Sequence, residues 1–307
     1  MDLATLFVIG VARAFEAPTL SALLPALVPL PLLPRAVAGA SAATQTAMIA
    51  GPAIGGLLYA VSPILVYSLC CVLFLTASIL VFLLRVAHVP AAREPVTLER
   101  LFAGIGFILH NRLVLGAIML DLFAVLLGGA MALLPIFARD VLQTGPWGLG
   151  VLRAAPGAGA LIVSILLTRF SPDRRVGHVI FAAVAAFGVA TLVFAMSTSF
   201  VVSTIALFVL GATDMVSVVS RQTLIQLYTP DAMRGRVSAV NSMFVVASNQ
   251  LGDFRAGVVA AWLGAVPAVL IGGVGTLLVV LACWRLFPDL VRVDRFDAPA
   301  PQPAKVA

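Results

Sequence analysis

The sequence predicts an all-α fold, a polytopic membrane helix bundle, and three observations support this fold class. The 307 residues are 62% hydrophobic and only 10% charged, with a mean hydropathy of +1.12, whereas a water-facing surface needs far more charge. Apolar runs long enough to cross a bilayer, about 20 residues each, follow one another along most of the chain. The arginines lie in the short segments between these runs, where they orient a membrane protein rather than bind nucleic acid.

About nine membrane spans can be placed, with one sizeable loop between the third and the fourth. They are predicted at 3–28, 37–61, 64–84, 113–138, 148–170, 176–196, 200–227, 237–263 and 265–286. The loop ends in a stretch, 98–109, whose apolar residues recur at helical spacing, which predicts a helix lying at the membrane interface. The Pro/Ala-rich tail after Asp297 is predicted to be disordered.

Two stretches of the chain match each other at one constant offset, without any gap. Matches of Gly or Leu alone would mean little in so apolar a chain, but Pro and Arg repeat as well. The matched pairs include Pro29 and Pro230, Arg35 and Arg236, Ser41 and Ser242, Gly51 and Gly252, and Gly56 and Gly257. This pattern predicts an internal duplication of about six membrane helices per copy.

The duplication divides the chain into four parts. We expect 1–85 to be the second half of an N-terminal six-helix bundle and 86–112 a cytoplasmic linker that carries the interfacial helix. We expect 113–290 to be a C-terminal six-helix bundle and 291–307 a disordered cytoplasmic tail. Because the first copy starts part-way through, we expect an amino-terminally truncated or wrongly started twelve-helix protein; the alternative is a genuine nine-helix protein.

The distribution of arginines orients the predicted bundle. One side collects Arg35, the loop 85–112, Arg169, Arg174, Arg175, Arg234, Arg236 and the carboxyl tail. Arg139 is the one loop arginine predicted on the other side. Because cytoplasmic loops carry an excess of Lys and Arg, the arginine-rich side is predicted to be cytoplasmic.

Four stretches of the chain resemble motifs of the major facilitator superfamily. Residues 51–56, Gly-Pro-Ala-Ile-Gly-Gly, look like the fifth-helix antiporter motif of its drug and proton antiporters, although Ala38 and Ala47 stand where earlier glycines are usual. Residues 13–17 are similar to the fourth-helix motif built on a buried arginine, with Ala17 in place of glycine. Residues 154–160 and 230–238 look most like the branch that contains siderophore (enterobactin) exporters and macrolide-efflux proteins.

The resemblance implies a major-facilitator-type helix bundle that works as a secondary active exporter. Its cargo would be small amphipathic molecules of the drug or siderophore type, moved by proton antiport with alternating access. The implied partners are a small-molecule substrate, protons and the lipid bilayer of a bacterial inner membrane, with no nucleic acid, no cofactor and a monomeric state. The alternative is a transport-inactive truncated remnant, or a membrane fragment that binds a partner.

The resemblance also implies where the functional side chains lie. The fourth, seventh and tenth helices line the central cavity in that superfamily, and the charged or polar residues on them here are Arg13, Glu16, Asp121, Asp214, Ser217 and Arg221. The last three share one helical face by their spacing. The duplication relates Arg13 to Asp214, so we expect the two to face each other and, with Glu16 and Asp121 nearby, to form a proton-responsive cluster. The alternative is a static buried ion pair that fixes helix packing.

Three further groups of residues are candidates for packing, binding and gating. The antiporter-motif residues Gly51, Pro52, Gly55 and Gly56 are expected to form a tightly packed, kinked helix that resists proton leak. Four polar residues are candidates for substrate contact: Thr44, Gln45, Asn249 and Gln250. The alternative for the first two is hydrogen bonding between helices, and for the last two, with Asp253 and Arg255, a gate or a solvated helix end. Arg35, Arg234 and Arg236 are candidates for a cytoplasmic gate.

Enzymatic chemistry finds little support in the sequence. The three histidines, His88, His110 and His178, are dispersed, so no metal site is predicted. The chain contains no P-loop, so ATP is not expected to be the direct energy source. We therefore expect a transporter and not an enzyme.

Overall fold

The computed structural model describes residues 61–83, 98–169 and 174–296, together with scattered positions in the first 60 residues. Those positions are 10, 27, 43, 46, 47, 50, 51, 54–56, 58 and 59. The predicted tail beyond Asp297 lies outside the described residues. Over the part that the structure describes, regular secondary structure is entirely helical, which confirms the all-α prediction.

Nine helices can be numbered along the described chain. They are α1 (Pro63–Leu83), α2 (Leu98–His110), α3 (Arg112–Gly128), α4 (Pro146–Arg169), α5 (Val176–Met196), α6 (Phe200–Leu227), α7 (Asp231–Leu263), α8 (Ala265–Leu286) and the short α9 (Pro288–Val291). Six helical stretches are long and apolar enough to cross a membrane: α1, α3 with its continuation to Val141, α4, α5, α6 and α8. The seventh long helix, α7, has 33 residues and carries charged side chains towards both ends. The chain is therefore a polytopic membrane helix bundle.

The span predicted at 113–138 lies within one apolar stretch, Arg112–Val141, that is long enough to cross a membrane, and the structure shows that the helix is interrupted within it. The helix ends at Gly128, and Gly129 takes a left-handed backbone conformation with φ +50°. Glycine adopts this conformation without the steric penalty of a side chain, which makes it the usual residue after a helix end. Beyond the interruption lies the outer segment 131–141, built from a 3₁₀ turn, one α-helical turn and a π-helical turn: Met131–Leu133, Leu134–Ile136 and Phe137–Val141.

Helix α6 lies between α4 and α5, and glycines allow the closest of these contacts. A side chain on Gly159 of α4 would collide with the carbonyl oxygen of Phe208, and one on Gly211 of α6 would collide with that of Pro156. The remaining helices pack around these three: α8 packs against α5 and α3, and α7 packs against α3, α8 and α2. Small residues are what membrane helices use where backbones approach closely.

The interior of this bundle is divided into two apolar layers. The inner layer lies towards the arginine-rich end and includes Val114, Ile118, Ile180, Phe181 and Leu224. The outer layer includes Leu133, Phe137, Leu152, Phe194 and Leu207. On α6 the stretch between Leu210 of the outer layer and Leu224 of the inner layer holds polar side chains, and the candidate site is built around that stretch.

The segment that follows α8 folds back over the arginine-rich end of the bundle. We call residues 288–296 the C-terminal strap. Val176 and Gly177, at the start of α5, donate backbone hydrogen bonds to the carbonyls of Asp294 (3.2 Å) and Val293 (2.9 Å). The backbone N–H of Arg175 donates to the Asp294 carboxylate at 3.1 Å. Residues 291–296, predicted to belong to a disordered tail, are therefore packed against α5.

Candidate functional site

A buried ion pair joins α3 to α6. The Nη1 atom of Arg221 lies 2.7 Å from Oδ2 of Asp121, and only 6% and 11% of the two side chains are exposed. The Nε of Arg221 also donates a hydrogen bond of 3.0 Å to the hydroxyl of Ser217, one helical turn away on α6. Because charges inside a membrane are costly unless they are paired, this arrangement holds both helices in register.

A second carboxyl group lies beside this pair. One small cavity of about 10 Å³ is lined by Asp214 and Ser217 of α6, by Asp121, Ala124 and Val125 of α3, and by Val184 and Phe187 of α5. A cavity of this size holds about one water molecule. Apart from these two carboxyl groups and the Ser217 hydroxyl the described wall is apolar, so the carboxyl groups are its ionisable side chains.

Charge counting defines what this cluster can do. Asp121 and Asp214 carry two negative charges when ionised, whereas Arg221 supplies one positive charge. Since an uncompensated charge in an apolar interior is unfavourable, the cluster is electrically balanced when it holds one proton. Among the described residues the cluster thus consists of two carboxyl groups and one guanidinium, a composition that holds one proton without a net charge.

The sequence placed Asp214, Ser217 and Arg221 on one helical face, and the structure brings all three to the same place together with Asp121. The sequence alone did not identify Asp121 as the partner of Arg221. That pairing joins side chains of two helices far apart in the sequence, and helical spacing carries no information about it. The expected partner of Asp214, Arg13, lies outside the described residues.

The remaining candidates are distributed over other surfaces. Asn249 and Gln250 are exposed on α7, and the Asn249 amide donates to the Val245 carbonyl of its own helix at 2.8 Å. Arg234 donates to the Gln226 carbonyl at 3.1 Å, across the turn between α6 and α7. Arg236 donates to Sδ of Met233 at 3.3 Å. Neither Asn249 nor Gln250 belongs to the ionic cluster. A role for these two residues in substrate binding, and for Arg234 and Arg236 in gating, remains a prediction.

The predicted antiporter motif is described in part. Gly56 lies against the start of α4, where an added methyl group would be 2.8 Å from both the Cα of Gly150 and the carbonyl oxygen of Pro146. Gly51 and Gly55 have no such neighbour within 4 Å among the described atoms. The candidates that fall outside the described residues are Arg13, Glu16, Arg35, Thr44, Gln45 and Pro52.

One residue that the sequence left ambiguous has a clear structural position. Arg255 of α7 donates from Nε to the carbonyl of Leu126 at 3.0 Å and from Nη2 to the carbonyl of Leu127 at 2.5 Å. These carbonyls belong to the last turn of α3, just before its interruption. Arg255 is therefore not merely part of a solvated helix end, the alternative that its place near the end of a span had suggested.

Comparison with known proteins gives a family match over nearly the whole chain. The model of the transmembrane secretion effector family, a family of the major facilitator superfamily, matches residues 2–303. Among curated proteins, the chain is similar to the enterobactin exporter EntS of Escherichia coli O81 (strain ED1a), with 28% identity over 280 residues. The enterobactin exporters EntS of Escherichia coli O1:K1 / APEC and of Shigella boydii serotype 18 are each 27% identical over 280 residues.

The match covers a larger share of this chain than of its relatives. It covers 91% of this chain but 66% of each of these three relatives. The chain thus spans just under two thirds of the length of the curated relatives that it matches.

Proposed function

The chain belongs to the transmembrane secretion effector family of the major facilitator superfamily, and from this premise we propose that it exports small amphipathic molecules from the cytoplasm. The superfamily predicted from the motifs is thereby confirmed, and the family is one of membrane secretion proteins rather than of enzymes. Its helices make it a multi-pass membrane protein. We further propose the inner membrane of a bacterium as its location, because the curated relatives are bacterial.

The proposed cargo is of the siderophore or drug type. The relatives named above are enterobactin exporters. Because these relatives are 27–28% identical to the chain, the proposal names a class of cargo and not one compound. Binding near the midplane between two bundle halves, with alternating access, is the mode by which such duplicated transporters work.

Proton antiport is the energy source that the ionic cluster supports best. The observation that carries this proposal is the buried Asp121–Arg221 ion pair with Asp214 beside it. We assign the ion pair a positioning role and assign the exchangeable proton to Asp214. Arg221 already neutralises Asp121, so a proton on Asp214 balances the cluster and its release leaves one buried negative charge.

The test is a proton-flux measurement on the purified 307-residue chain in lipid vesicles that contain a pH-sensitive dye. We expect that adding enterobactin, or a macrolide, accelerates the collapse of an imposed pH gradient in the wild type. Asp214→Asn should abolish this substrate-dependent component, because an amide cannot release a proton in this range. Binding of the substrate to the Asn variant should persist, since the cavity keeps its shape.

Asp140→Asn is the matched control. Asp140 is a carboxyl group beyond the apolar core, 48% exposed and paired with Arg139, so its substitution should leave the substrate-dependent flux unchanged. Flux that persists in Asp214→Asn would exclude Asp214 from coupling. A wild type in which substrate moves without any proton flux would contradict antiport itself.

A further inference from the structure

Backbone carbonyls near the interrupted end of α3 accept hydrogen bonds from side chains of two other helices. The last four carbonyls of a helix have no partner within the helix, and in a membrane water cannot supply one. Here Arg255 of α7 donates to two of them, those of Leu126 and Leu127. Thr276 of α8 adds a hydrogen bond of 3.3 Å to the carbonyl of Ala124, which precedes Leu126 by two residues in α3.

Glycines of the same two helices bring the backbones close enough for this arrangement. A methyl group on Gly252 of α7 would lie 2.8 Å from the carbonyl oxygen of Val125, and one on Gly272 of α8 would lie 2.5 Å from that of Leu127. Gly129 has a left-handed backbone conformation, and a methyl group added to it would lie 3.1 Å from Nη2 of Arg255. The guanidinium of Arg255 thus holds the end of α3, and the glycines allow the close approach of the backbones. We call the site formed by Arg255, Gly129, Gly252 and Gly272 the socket.

This socket lies directly beside the cavity of the ionic cluster. Phe187 of α5 lines that cavity, and its ring is also the neighbour of Gly128, 3.3 Å from a methyl group built there. Val125, whose carbonyl faces Gly252, is itself part of the cavity wall. Gly128, at the interruption of α3, contacts the same Phe187 ring that lines the cavity, and it lies about two helical turns after Asp121.

We propose that Arg255 is a positioning residue that closes the water path from the non-cytoplasmic side to the Asp121–Asp214–Arg221 cluster. With its two hydrogen bonds in place, the end of α3 stays attached to α7 and the cavity stays sealed. When they break, the outer segment 131–141 turns about Gly129, and water reaches the cavity past Phe187. The role of this path in proton exchange rests on the proposed function, whereas the seal itself does not.

The seal can be measured without any transport. In a background in which Cys70, Cys71 and Cys283 are replaced by alanine, Val184→Cys places a thiol on the cavity wall, where Val184 is 5% exposed. The rate at which a charged, water-soluble methanethiosulfonate labels this thiol in lipid vesicles reports water access. We expect Arg255→Gln to raise that rate about tenfold or more, because two charge-assisted hydrogen bonds are lost.

Two further variants separate the geometry of the guanidinium from its charge. Arg255→Lys should also raise labelling, since one ammonium at the end of a flexible chain does not reproduce the fork of Nε and Nη2. In Arg255→Ala, added guanidinium chloride below denaturing concentrations should restore slow labelling, and methylammonium chloride should not. Guanidinium present during purification also keeps this variant testable if it is unstable alone.

Arg139→Gln is the control, because Arg139 lies on the same side and is 80% exposed; its labelling rate should equal that of the wild type. Labelling that stays slow in Arg255→Gln would overturn the proposal. Rescue by methylammonium as effective as rescue by guanidinium would also overturn it, because charge alone would then suffice. Altered labelling together with no substrate-dependent proton flux in the wild type would refute the proposed antiport and leave the seal intact.

Discussion

Arg221 is a buried charged side chain whose contacts join two helices in the interior of the bundle. It is 5% exposed, contacts a carboxylate on α3 and a hydroxyl on its own helix, and lies between the two apolar layers. A buried ion pair contributes little net stability compared with apolar residues of equal size, yet removing one partner leaves the other charge uncompensated. The cost of substitution at this site should therefore depend on which charges remain.

This dependence gives a prediction for the Asp121–Arg221 pair. We expect Arg221→Met alone to destabilise the protein by about 3–5 kcal/mol, because the Asp121 carboxylate is left buried without its partner. The double variant Asp121→Leu with Arg221→Met should recover most of that loss. Apparent melting temperatures of the detergent-purified proteins measure the effect, and a double variant as unstable as the single one would contradict this explanation.

The same variants separate stability from coupling. If the pair only fixes helix packing, the stable double variant should retain substrate-dependent proton flux in vesicles. If it positions Asp214 for proton exchange, as we propose, the double variant should be stable and yet lack that flux. The two measurements together thus decide between the static ion pair and the proton-handling cluster.

At the scale of helices, most boundaries follow from local sequence. The spans predicted at 176–196, 200–227 and 265–286 agree with α5, α6 and α8 at both ends, because apolar runs end there at Gly, Pro, Ser or charged residues. The helix predicted in the loop before α3 is present as α2, and its Gly104 packs on the backbone of Arg236 at the start of α7.

The interruption of α3 could not be predicted in the same way. Residues 113–138 are apolar except for Asp121, and a Gly-Gly pair is tolerated inside many membrane helices. What stabilises the interruption is Arg255 together with Gly252 and Gly272, which lie more than a hundred residues further along the chain. The Asp121–Arg221 pair escaped prediction for the same reason: the sequence gives the faces of single helices, but only the packed structure shows which faces meet.

The C-terminal strap gives a prediction at the scale of elements. A side chain on Gly177 would collide with the carbonyl oxygen of Leu290, so Gly177→Ala should push the strap away from α5. The backbone hydrogen bonds of Val176 and Gly177 to the strap should then be lost. Hydrogen–deuterium exchange should show faster exchange of amides at 176–177 and in 290–293, by about tenfold or more.

Gly235→Ala is the control for this experiment. Gly235 lies near the same end of the bundle, on α7, and an added methyl group meets no described atom within 4 Å. Its exchange pattern should match that of the wild type. Unchanged protection at 176–177 in Gly177→Ala would show that the strap tolerates a side chain there and does not depend on close backbone contact.

At the scale of the whole molecule, the duplication relates glycines whose surroundings differ. Gly56 and Gly257 occupy equivalent positions in the repeat, yet only Gly56 approaches another backbone, that of α4 at Gly150. Around Gly257 nothing lies within 4 Å among the described atoms. Among the described residues the two equivalent positions thus differ in their packing, and this difference allows the motif that contains Gly56 to be tested with an internal control.

The last prediction concerns proton leak through the closed protein. If close packing between the helix that carries Gly56 and α4 keeps the protein sealed, Gly56→Leu should separate them, because the side chain has no space beside Gly150 and Pro146. We expect the pH gradient of vesicles to collapse several-fold faster than with wild type when no substrate is present. Gly257→Leu should leave the rate unchanged, because no described atom lies within 4 Å of a methyl group added there. Equal leak in the two variants would argue against a sealing role for Gly56. Because the leak is measured without substrate, it tests the packing of the motif independently of what the protein carries.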